Sequence, residues 1–129
     1  MESKKEITKN LLANSFKKLI LDIPFKNITI KMITDKSKVI RPTFYHHFKD
    51  KYEVLEYIVD EDIMKNIYEM VDSDMEYESL KIIFIRLEKN RKFIKKAFKV
   101  EGQNSFKEIL ERFNIKSELL VGSLTKKQK

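Results

Sequence analysis

The chain predicts an all-α fold on three observations. Its isoleucines recur at three and four positions more often than at two. Only two glycines and two prolines interrupt 129 residues. Serine, threonine or aspartate stands just ahead of each of several apolar-periodic segments, where a helix N-cap belongs. The expected architecture is an N-terminal three-helix unit over residues 1–51, joined by a long helix to a short helical part over residues 52–129.

Each element has its own signal. Ser3 and Glu6 form a capping box ahead of Ile7, Leu11, Leu12, Phe16, Leu19 and Ile20, an amphipathic first helix closed by Asp22, Ile23 and Pro24. Thr29 is placed to cap a second helix from Ile30 to Lys36, with Ile28 and Ile33 at the two positions of a hydrophobic staple. Ser37, Lys38 and Val39 then turn the chain. Pro42 suits the first turn of a third helix, Arg41 to Phe48, because the amide it lacks has no helical partner there.

Within the third helix Phe44 and Phe48 share one face and should pack on the core with Val39. Pro42, Thr43 and His46 then point outward, with Arg41, Tyr45 and His47 on the flanks and Lys49 and Lys51 following. Asp50 can cap a long fourth helix in which Leu55, Val59, Ile63, Ile67 and Val71 repeat every four residues, with Ile58 and Met70 beside them. After a loop near Asp72 to Glu78 comes a helix with Leu80, Ile83, Phe84 and Leu87 that ends at Asn90, then a shorter one with Phe93, Ile94, Ala97 and Phe98. Phe84, Leu87 and Phe98 read as core. Beyond Gly102, Ser105 and Glu108 form another capping box ahead of Phe106, Ile109, Leu110 and Phe113, and the pattern decays into a polar tail.

Charge is divided sharply. Up to residue 51 there are 12 Lys and Arg against 5 Asp and Glu, a net of +7; from residue 52 onward there are 15 of each. The whole excess lies on the three-helix unit, as suits a segment that approaches a polyanion. The second part divides again, with one lysine against ten acids in residues 52–78 and 14 bases against 5 acids in residues 79–129. An acidic helix and basic helices pairing across a bundle surface explain this. The other reading is a second anion-binding surface of Arg86, Arg91, Lys92, Lys95 and Lys96.

The pattern V-x-x-P-T-F-Y-x-H-F-x-x-K, from Val39 to Lys51, resembles the DNA-binding domain of the TetR family of transcriptional regulators. The likeness extends back through the first helix and forward to Leu55. It implies a helix-turn-helix whose third helix enters the major groove of double-stranded DNA, and a helical second half that dimerises and often encloses a small-molecule pocket. Arg41 can then make bidentate contacts to guanine, and Thr43 and Pro42 can touch thymine methyls. His46 shares their outward face. Lys31, Tyr45, His47 and Lys51 are placed for phosphates. Two departures concern the turn: many members have glycine at Lys38 and a capping serine at Ile40. The stretch NRKFIKKAFKVEGQNSFKEIL is similar to a subgroup that activates dihydroxyacetone kinase operons, with a partner protein supplying the signal.

The expected protein is thus a sequence-specific regulator, a repressor by the family's commoner mode, working as a homodimer on an inverted repeat. Its partners would be DNA, a second copy and either a small-molecule effector or a protein coinducer. The rival is a shortened interaction protein, or an activator controlled by a partner, with no effector of its own. No cofactor is implied and no enzyme motif is present: nucleophile, base and orienting group stand in no recognisable pattern, and two isolated glycines make no phosphate loop. Zero cysteines exclude disulfides and thiolate sites. Adjacent His46 and His47 diverge by about 100° round a helix, and so are not expected to share a metal. Asp60, Glu61 and Asp62 read as a solvated face. Without a signal peptide or an apolar run of about 18 residues, a cytoplasmic location is expected and a membrane span is not.

Overall fold

The computed structural model describes residues 3–97 and residue 99, and every regular element among them is helical. Helix α1 (Lys4–Asp22) is capped by Ser3, whose hydroxyl accepts from the Glu6 amide at 3.2 Å. Its inner stripe is Leu12, Phe16 and Ile20, spaced by four. Ile7 and Leu11, expected on that stripe, are both 47% exposed. Leu11 stands about 100° round the helix from Leu12 and so misses the core.

Pro24 ends the first segment, and a 3-10 turn at Phe25–Asn27 leads to α2 (Ile30–Ser37). Thr29 caps α2, accepting from the Met32 amide at 3.1 Å, and the staple residues Ile28 and Ile33 are both buried. A turn at Lys38 leads to α3 (Arg41–His47), and Phe48 closes it in extended conformation. Asp50 then caps α4 (Lys51–Val59) by accepting from the Glu53 amide at 3.0 Å. The Glu53 carboxylate reaches back to accept from the Lys49 amide at 2.6 Å.

The long fourth helix is not continuous. After α4 the chain makes a π turn at Asp60–Met64, breaks at Lys65 and at Asn66 (φ 69°), and resumes as α5 (Ile67–Asp72). A repeat of four drifts by about 40° per step against 3.6 residues per turn, so Val71 would end roughly 160° from Leu55 on a straight helix. The wider π turn and the break take up that drift. Ile63 and Ile67 stay buried, and Val71 is left exposed.

Helices α6 (Glu76–Lys89) and α7 (Arg91–Ala97) complete the described bundle, and α6 begins earlier than the expected loop allows. Ser79, Ile83 and Leu87 form its buried stripe. Leu80, Phe84 and Ile85 lie outside that stripe and are exposed, so Phe84 is not the core residue expected. Phe16 links the two parts of the molecule, its ring 5.9 Å from Phe25 in the 3-10 turn before α2 and 6.5 Å from Phe93 on α7. The buried apolar cluster runs without a gap from Leu12 to Ala97. Phe98 and the expected helix after Ser105 lie outside the described residues. Among the described residues no helix is long and apolar enough to cross a membrane.

Candidate nucleic-acid interface

The geometry of the α2–α3 pair begins with the turn. The Lys38 amide donates to Asp35 O at 3.3 Å and the Val39 amide to Thr34 O at 3.1 Å, the paired bonds of a Schellman motif. Lys38 itself sits at φ 60°, ψ 40°, the left-handed position where glycine fits best. Its Cβ costs the turn about 1 kcal/mol. Val39 packs half-buried against the core. Ile40 occupies the N-cap of α3 with no side-chain hydrogen bond.

Phe44 and Phe48 anchor α3, their ring centres 5.7 Å apart and both buried. The opposite face is thereby turned to solvent. Arg41, Pro42, Tyr45 and His46 are exposed there, and Thr43 and His47 are half-buried at its edges. Tyr45 meets Phe44 edge to face at 5.5 Å and carries the Arg41 guanidinium 5.8 Å from its ring centre. That contact pre-orders the arginine without using its donors. On α2, Lys31 is exposed and paired with Asp35 at 2.6 Å. In solvent such a pair is weak, and the ammonium can exchange it for a phosphate.

His47 is the perturbed group of the face. Its Nδ1 is buried with no hydrogen-bond partner among the described residues. Burial pushes its pKa below the usual 6.5, and the charges of His46, Lys9 and Lys5 add to the effect. Lys9 also lies over the Phe48 and Tyr57 rings, at 5.6 and 5.1 Å. The outer turns of α1 thus bring positive charge to the edge of α3. Sequence reading missed Lys5 and Lys9, although their spacing of four on the first helix was the available signal. The rings of His46 and His47 stand 6.0 Å apart at 80° to each other, divergent as adjacent helical positions must be.

Lys51 departs from its expected place at the phosphates. Its ammonium turns inward and donates to Phe25 O at 2.6 Å and Ile28 O at 2.9 Å, 4.3 Å from the centre of the Phe25 ring. The partial burial this entails lowers its pKa from the ordinary lysine value. It straps the turn before α2 to the start of α4. Charge-assisted hydrogen bonds to the two carbonyls hold the ammonium there against the cost of its burial. Arg86 shows the same habit. Its guanidinium donates to Ile63 O and Lys65 O, both at 2.7 Å, so it braces the broken helix instead of joining a second anionic surface.

Known proteins agree with this geometry. Residues 17–58, which contain α2, the turn and α3, match the family model described as bacterial regulatory proteins, tetR family. Over 95 residues the chain is 28% identical to the HTH-type dhaKLM operon transcriptional activator DhaS of Lactococcus lactis subsp. lactis strain IL1403, the match covering 74% of this chain and 51% of that protein. The chain therefore spans about half the length of the curated relative it matches. No solved structure matches it. The cap at Thr29, the Schellman turn, the anchored third helix and the family match together identify residues 17–58 as a helix-turn-helix of the kind found in bacterial regulatory proteins of the tetR family.

Proposed function

We propose that this chain is a sequence-specific transcriptional regulator that reads double-stranded DNA through α3 in the major groove. The observation that carries the reading is the outward face of α3, held by Phe44 and Phe48, on a unit that bears the net charge of +7. Arg41 would read guanine, and Pro42 and Thr43 would meet thymine methyls. His46 shares their outward side, while Lys31, Tyr45 and His47 would hold the phosphates that set register. Lys51 acts from inside, fixing the turn that seats α2.

Residues 1–51 would be the DNA-binding part and residues 52–129 the regulatory and dimerising part, so that two heads engage an inverted repeat with half-sites one turn apart or a multiple of it. Repression is the sign implied by the family's commoner mode. Activation is the second reading, favoured by the printed function of the Lactococcus relative, and it goes with control by a partner protein. The test is fluorescence anisotropy with duplex DNA from upstream of the gene, against a shuffled duplex, at two salt concentrations. Selective binding that survives the higher salt supports the reading. Equal binding to both duplexes, lost with salt, would leave only a polycation.

A further inference from the structure

Among the described residues no acid of residues 52–78 pairs with a lysine of α7: Glu61 and Asp62 pair instead with Lys65 and Lys17. Pairing across the bundle therefore leaves the basic side of α7 unexplained. Phe93, Ile94 and Ala97 bury one side of this helix, which turns Lys92, Lys95 and Lys96 to the other. Lys92 and Lys96 are exposed, as is Lys99 just beyond the helix. Lys96 and Lys99 stand round one opening of the surface with Lys26, from the 3-10 turn before α2, and Asp22 is the one carboxylate among the described residues that line it. Lys26, Lys92, Lys96 and Lys99 are in no ion pair among the described residues. Cations gathered in this way without counter-charge form a rim that attracts a polyanion.

We propose that Lys26, Lys92, Lys96 and Lys99 form a phosphate-contact surface for double-stranded DNA, holding the backbone beside the base pairs that α3 reads. The rim adjoins the helix-turn-helix. Lys26 precedes Thr29, the cap of α2, by three positions, and Lys31 is exposed in the first turn of that helix. When the second helix of such a pair lies in the major groove, the first crosses the sugar–phosphate backbone. A strand passing Lys31 is then led toward Lys26, and from there toward Lys96 and Lys99 round the same opening. Lysine suits this role, because a flexible point charge adds affinity for any sequence and discriminates between none. The proposal rests on the DNA reading given above and carries the interface beyond residues 1–51 to α7.

The test is fluorescence anisotropy of the full chain on the upstream duplex and its shuffled counterpart over a series of salt concentrations. Lys26→Gln/Lys96→Gln/Lys99→Gln should reduce the slope of log affinity against log salt by about 0.9 for each phosphate lost, about 2 to 3 in all. The reduction should be equal on both duplexes, so that the ratio of their affinities is kept. Lys65→Gln/Lys81→Gln/Lys89→Gln removes the same charge from exposed positions elsewhere and should keep the parent slope. An unchanged slope in the rim variant, or an equal reduction in the second variant, would overturn the surface. Bound duplex should also shield Lys96 and Lys99, but not Lys81, from acetylation by an amine-reactive reagent; equal labelling with and without DNA would overturn it without any variant. A rim variant that keeps the DNA slope but loses binding to phosphatidylglycerol vesicles would give the rim to a membrane surface instead. Equal binding of the parent to both duplexes would defeat sequence reading alone, because the rim is measured as the difference between variant and parent on either duplex. Absence of binding to both would overturn the two together.

Discussion

Lys38 holds a position that most side chains avoid, and it does so on the turn that sets the angle between α2 and α3. The two hydrogen bonds of that turn need the left-handed backbone, so the residue bears the steric cost there. Lys38→Gly should therefore stabilise the protein by about 0.5 to 1 kcal/mol, read as a higher urea midpoint at unchanged slope. Arg41 is poised on the Tyr45 ring with its donors free to be aimed outward. Arg41→Ala should cost about 1 to 3 kcal/mol of discrimination at one base pair of the binding site; a uniform loss on every duplex would remove Arg41 from base reading. His47 makes a prediction in pH. Because its pKa is lowered in the fold, the unfolded chain takes up the proton first as pH falls. Stability relative to His47→Gln should hold above about pH 6.5 and decline progressively below it, a trend that paired denaturation curves across the range will show or refute.

At the scale of elements, the chain places long cations where helices end. Lys51 gathers the carbonyls of Phe25 and Ile28 before α2, and Arg86 those of Ile63 and Lys65 at the end of the π turn, each with charge-assisted hydrogen bonds. Lys51→Met should lower stability by about 1 to 3 kcal/mol, chiefly through the Ile28 carbonyl it leaves without this donor. It should weaken DNA binding while leaving the slope of affinity against salt unchanged; a slope smaller by about 0.9 would instead mean that the ammonium neutralises a phosphate. Across the bundle, Lys17 on α1 meets Asp62 in the π turn at 2.7 Å, and the Tyr57 hydroxyl donates to Asn10 Oδ1 at 2.6 Å. The DNA-binding unit and the part behind it thus share polar ties as well as one apolar core.

For the whole molecule the division of charge would govern association in the regulator proposed above. All the net positive charge lies in the first 51 residues, so in the proposed regulator these would approach a polyanion while the neutral remainder would add no long-range repulsion between two copies. A dimer on an inverted repeat should bind a duplex carrying both half-sites far more tightly than a duplex carrying one, because the second head engages at high effective concentration. Equal affinity for the two duplexes would show a monomeric reader.

Much of this was legible in the chain because it depends on neighbours in sequence. Caps at Ser3, Thr29 and Asp50, the proline at the start of α3 and the Phe44–Phe48 face are local events within a turn or two, and the residue pattern determined them. The outward placement of Pro42 and His46 followed from the same periodicity, whereas Thr43, expected outward, is half-buried, and Arg41 and Tyr45, expected on the flanks, are exposed. The tertiary structure alone decided where the fourth helix breaks, that Ile7, Leu11 and Phe84 face outward, and that Lys51 turns inward. Those outcomes depend on carbonyls and apolar surfaces brought together from distant parts of the chain, and a helical repeat reports which residues share a face without reporting what that face will meet.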